Sequence, residues 1–186
     1  MSRTSAAAAK ASTSEGLKKN HFELFGLRPA FALDPEDLER AYRDIQSKVH
    51  PDRFVRASDA ERRASMQMTT QVNEAYRTLK SPVQRAKYIL ELNGIDVGFE
   101  TNTAMQKDFL VEQMEMREQL EEARSADALG LLQEHLSQQK KTLEQEIKEQ
   151  VDDRRNFAAA SDLVRKLMFL ERFGEDIDAA YEALDV

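Results

Sequence analysis

The sequence predicts an all-α chain: an N-terminal helical hairpin and a C-terminal three-helix bundle. Three observations predict it. The strong helix formers Ala, Glu, Gln, Leu, Lys and Arg dominate the composition. Only 6 Gly, 4 Pro and no Trp leave little material for a turn-rich β fold. Apolar residues recur at spacings of three and four, which makes one face of a helix.

The first 19 residues are rich in Ala and Ser, with scattered Lys and Arg, and read as a flexible tail. They hold no apolar core long enough for a secretory signal. Order begins at Asn20, where a capping side chain is followed three residues later by Glu23. Phe22, Leu24, Phe25 and Leu27 supply apolar contacts, and Gly26 and Pro29 end this short helix. Asp34-Pro35 opens the second helix with a cap and a first-turn proline. Leu38, Tyr42, Ile45 and Val49 form its apolar face, and Pro51 stops it by disfavouring helical geometry at His50. The third helix starts after Ser58 or Asp59 and runs to about Lys80, with Ala64, Met68, Val72, Ala75, Tyr76 and Leu79 buried. A fourth runs from Val83 to Leu92, and Asn93-Gly94 ends it.

Residues 93–104 hold two of the six Gly and read as a linker. Residues 20–92 and 105–186 are then separate domains. Within the second, helices are predicted over 105–124, 126–151 and 156–185, with Asp127 and Asn156 as caps of the last two. Leu132, Leu136, Leu143 and Ile147 mark the buried side of the middle helix. Leu163, Leu167, Leu170, Ile177 and Tyr181 mark that of the last. Short connections favour antiparallel neighbours.

Several function classes are disfavoured at once. A net charge of −7 repels the phosphates of nucleic acid. The absence of cysteine removes disulfides, thiolate-held clusters and cysteine nucleophiles. No apolar run approaches the roughly 20 residues of a membrane span. His21, His50 and His135 are the only histidines and show no ligand-like spacing. With no phosphate loop and no nucleophile signature, the sequence offers no catalytic residue, metal site or cofactor.

VHPDRF, Val49 to Phe54, is the most informative stretch. His-Pro-Asp occurs by chance in a chain of this length with a probability on the order of 0.01, and here it lies between two amphipathic helices. On its own it also reads as a helix stop, with Asp52 satisfying local backbone donors. The surrounding segments, FELFGL at 22–27, LERAYRDIQSKVHPDRF at 38–54 and NEAYRTLKSPVQRAKYIL at 73–90, resemble the J-domain family. The resemblance implies an antiparallel helix pair that presents His50, Pro51 and Asp52 to a DnaK-type ATPase. Arg53 stands where the family often has Lys, and a guanidinium fork is not an ammonium point charge. Arg40 and Arg43 lie opposite the apolar stripe of the second helix and Lys48 lies on its flank. They either steer an acidic partner or form an ordinary solvated face shared with Glu36 and Asp44.

The helix around DFLVEQMEMREQLEEA carries more apolar surface than a core needs. Placed at about 100° per residue, Met116, Leu120, Ala123 and Met105 fall within roughly 40° of Phe109. Leu110, Val111 and Met114 fall about 100° or more away, flanked by Glu115, Glu118 and Glu122. An apolar patch with a charged rim marks a partner site, unless the helix is buried on both sides. In the last helix Phe169 is similarly offset, as an anchor or as packing at a domain interface.

The patterns FLVEQMEMREQLEE and DLVRKLMFLERF resemble the C-terminal domain of HscB-type J-proteins, co-chaperones of iron–sulfur cluster assembly. That resemblance implies that the bundle binds the scaffold protein IscU and delivers it to the chaperone HscA. Leu110, Val111, Met114, Glu115, Glu118, Glu122 and Phe169 are then the scaffold contacts. Eukaryotic relatives carry an N-terminal cysteine-pair extension, so the expectation is a bacterial type in the cytoplasm rather than the mitochondrial matrix. Two rivals stay open: a J-protein serving a different client, and a helical adaptor whose tripeptide is accidental.

Overall fold

The computed structural model describes residues 19–55, 57–97 and 107–184. The expected tail and most of the expected linker lie outside the described residues. Among the described residues there are seven α-helices and no strand. The chain divides into two compact units between Arg85 and Ala86, and the division falls within a helix.

In the first unit, α1 (His21–Leu24), α2 (Pro35–Val49) and α3 (Asp59–Lys80) follow the signals that the sequence carries. Asn20 and Glu23 form a reciprocal capping box, and so do Ser58 and Glu61. The Asp34 side chain accepts from the Glu36 amide at 2.8 Å ahead of Pro35. α1 ends where Gly26 adopts a φ of +68°. The Leu27 amide then donates to the Phe22 carbonyl and the Gly26 amide to that of Glu23, a closure that needs the left-handed residue.

α2 and α3 run antiparallel, as their cross-links show. Ser65 meets Val49, Asn73 meets Tyr42, and Tyr76 meets Glu39. Burial falls on Ser65, Met68, Val72, Ala75 and Leu79 of α3 and Leu38 of α2. Ala64 and Tyr76, expected inside, are only half-buried, and Ser65 takes an inward place.

α4 (Pro82–Leu92) spans the division between the units. The second unit contains α5 (Lys107–Glu122), α6 (Ala126–Lys148) and α7 (Phe157–Leu184). α6 and α7 are antiparallel: Lys140 pairs with Glu171 at 2.9 Å, and the Tyr181 hydroxyl donates to the Ala126 carbonyl. Their core joins Phe109, Leu136, Phe169, Leu170, Phe173 and Ile177. Met116, Leu120, Leu132, Leu143 and Tyr181 pack against it.

Asn156 caps α7 through the Ala159 amide, as expected. The expected cap of α6 is corrected: Ser125, extended and one residue outside the helix, accepts from the Ala128 amide at 3.2 Å. Asp127 sits in the first turn, where its charge complements the helix dipole instead. α6 also ends differently, in a π-turn over Glu149–Asp153. Two salt bridges, Lys148–Asp153 and Arg154–Glu149, close that turn.

Candidate functional site

His50 has an extended backbone, with φ −55° and ψ 130°, because a following proline excludes the helical basin. It therefore ends α2 and caps a short 3-10 turn over Pro51–Phe54. The Asp52 amide donates to His50 Nδ1 at 3.3 Å. An Nδ1 that accepts in this way leaves Nε2 as the ring's donor. The Asp52 side chain is 86% exposed, with Oδ2 3.6 Å from His50 Nδ1. A wet carboxylate held beside an imidazole on a fixed turn suits a charge-assisted contact with a partner's guanidinium.

The base of the loop is tied to both helices. Arg53 Nη1 donates to the Ser47 carbonyl at 3.0 Å, covering an orphan acceptor of the last turn of α2. The Ser65 hydroxyl donates to the Val49 carbonyl at 2.6 Å, and the Thr69 hydroxyl is shared between that carbonyl at 3.2 Å and the Ser65 carbonyl at 2.9 Å. Farther along the hairpin, Tyr42 and Tyr76 stack with centroids 4.1 Å apart. The Tyr76 hydroxyl donates to Glu39, which holds that carboxyl below its ordinary value with help from Arg43. The same bond pushes the Tyr76 phenol up.

On α2 each expected cation has an acid on its own helix. Arg40 pairs with Asp37, Arg43 with Glu39 at 2.9 Å, and Lys48 with Asp44 at 2.6 Å. All three cations remain largely exposed. Such pairs contribute little to stability, so a partner can exchange them at small cost.

On α5 the two faces separate as the helical spacing predicts. Phe109 is buried, and Met116 and Leu120 pack on the core. Leu110, Val111 and Met114 are 44, 54 and 65% exposed. Glu115, Glu118 and Glu122 are exposed beside them.

Phe169, the last of the expected scaffold contacts, lies inside the bundle. It is 7% exposed, edge-on to Phe109 at 5.5 Å and stacked with Phe173 at 6.1 Å. The Arg117 guanidinium lies over its ring at 5.9 Å. The reason is that α7 has two neighbours in the bundle. Its Phe169 side meets α5, while Gly174 lies against Leu136 and Lys140 of α6.

Among the described residues, no cluster of acids or histidines is placed to hold a metal. No helix there is long and apolar enough to cross a membrane. The residues sequence reasoning missed are Ser65 and Thr69. Ser65 lies three and seven residues before Met68 and Val72, on the buried stripe itself, and a hydroxyl on such a stripe is the available signal.

Comparison with known proteins gives both parts of this arrangement relatives. A profile described as a DnaJ domain matches residues 20–88. One described as the HSCB C-terminal oligomerisation domain matches residues 105–178. A co-chaperone protein HscB homolog of Aromatoleum aromaticum is 48% identical, covering 91% of this chain and 97% of that protein. A counterpart from Burkholderia vietnamiensis is 47% identical over the same share of this chain and 98% of its own. The structure of chaperone HscB from Vibrio cholerae matches with a TM-score of 0.79 and 36% identity, covering 89% of this chain and 99% of that one. Human co-chaperone protein HscB matches with a TM-score of 0.85 and 28% identity, covering 91% and 84%. On this evidence the chain belongs to the HscB family of J-domain co-chaperones.

Proposed function

We propose that the chain is a non-enzymatic co-chaperone that stimulates the ATPase of a specialised DnaK-type chaperone of the HscA kind. It delivers to that chaperone an iron–sulfur scaffold protein of the IscU kind. The observation that carries the reading is the His50–Asp52 turn, tied at its base by Ser65, Thr69 and Arg53 and open at its tip. The turn acts on the chaperone, with Arg40, Arg43 and Lys48 steering the approach. The J-domain is assigned to residues 20–92 and the scaffold-binding bundle to 105–186. The exposed patch of Leu110, Val111 and Met114, with Glu115, Glu118 and Glu122 as its rim, binds the scaffold. Phe169 supports the patch from beneath rather than contacting cargo through an open face. Bacterial relatives of matching length support the bacterial cytoplasm as the site of action.

The test is chaperone ATPase turnover with the full chain, with and without scaffold. The reading expects stimulation by the chain alone and a further rise when scaffold is added. Stimulation without any rise would leave a J-protein serving another client, and no stimulation would remove the co-chaperone reading.

A further inference from the structure

We propose that the cargo surface does not end at the carboxylates of α5 but crosses them into the groove between α5 and α6. There Leu131 anchors an apolar segment of the scaffold that is flanked by Lys or Arg. This rests on the reading of Leu110, Val111 and Met114 as the cargo patch.

The groove is open, holds about 370 Å³ and has an apolar floor of Ala123, Ala128, Leu131 and Leu132 between Glu122 and His135. Leu131 is 70% exposed, more than any residue of the cargo patch. A side chain of that size left wet on a helix whose other leucines are buried or packed against the core is apolar surface with no partner in the fold. The groove is continuous with the patch, because Glu122 belongs to both. A smaller hollow along the same seam is lined by Glu115 and His135. From Met114 to Glu122 is about 12 Å along the axis at 1.5 Å per residue. About four residues of extended chain span that distance.

Charge identifies the occupant. α5 carries six acids, Asp108, Glu112, Glu115, Glu118, Glu121 and Glu122, against Lys107 and Arg117. Among the described residues, no ion pair engages any of the five glutamates. The cations of α2, by contrast, are all paired. A second copy docking about a two-fold axis would set these carboxylates against themselves. A segment with cationic residues beside an apolar centre satisfies both the groove and its rim.

The experiment titrates an IscU-type scaffold into three full-length proteins: the wild type, Leu131→Ser, and Leu110→Ala/Val111→Ala/Met114→Ala. Melting and sedimentation are recorded on each. Leu131→Ser is expected to leave melting and mass unchanged and to weaken scaffold binding about ten-fold. The triple variant is expected to weaken it further. Loss in the triple variant alone would overturn the groove and leave the patch. Loss in neither would overturn the patch reading itself. A change of mass on Leu131→Ser would assign the groove to a second copy and overturn the proposal.

Discussion

Replacing Leu110, Val111 and Met114 together by alanine separates a binding face from a core. The truncation removes about eight heavy atoms, worth roughly 0.8 kcal/mol each when fully buried. With these residues 44, 54 and 65% exposed, their lost burial is at most about 3 kcal/mol. That is a ceiling, because the outermost atoms removed are the wettest. Alanine restores about 1 kcal/mol through its helix propensity, most of it at the β-branched Val111. The net loss is then no more than about 2 kcal/mol, or about 8 °C in Tm for a chain of 186 residues. Three core positions would lose about 2–5 kcal/mol each and take most of the stability of an ordinary domain. Scaffold affinity, by contrast, is expected to fall at least about 100-fold. Differential scanning calorimetry and scaffold titration on the same protein give both readouts. A Tm drop beyond about 15 °C would place these residues in the core. An unchanged Tm with unchanged binding would remove the cargo face.

Three further outcomes follow from the geometry. Phe169→Ala is expected to cost about 3–5 kcal/mol because its ring lies between Phe109 and Phe173; thermal unfolding unchanged from wild type would contradict its burial. The Glu39–Tyr76 bond lowers one pKa from 4.5 and raises the other from 10.0. Its contribution is full between those values, lost as pH falls through the folded Glu39 value and lost as pH rises through that of Tyr76. Tyr76→Phe should therefore move the Glu39 titration, followed by NMR, up toward 4.5. Arg40→Ala with Lys48→Ala should leave Tm within about 4 °C while slowing chaperone association and flattening its salt dependence; unchanged association rates would return these cations to the solvated face.

What the sequence made legible was what is local. Capping pairs such as Asn20 with Glu23 and Ser58 with Glu61 act over three residues, and Gly26 acts on its own turn. The helix starts and stops of the first unit could therefore be read directly, whereas both ends of α6 differ from the reading. The loop was legible because His50, Pro51 and Asp52 are adjacent, and the exposed side of α5 because one helix's spacing determines it. What was hidden is tertiary. The Ser65 and Thr69 hydroxyls reach a carbonyl 16 and 20 residues back, which apolar periodicity does not register. The burial of Phe169 did not show because a single helical wheel assumes one buried face, and α7 has two neighbours. Leu131 escaped because its groove exists only once α5 and α6 pack.

The most direct measurement is single-turnover ATP hydrolysis by an HscA-type chaperone with the wild-type chain and with His50→Gln. His50 is half wet and its side chain caps a four-residue turn, so the variant should unfold at nearly the same temperature. The variant is expected to lose stimulation altogether while still binding scaffold. A folded His50→Gln variant that stimulates as well as the wild type would contradict the central claim and reduce the turn to a helix stop.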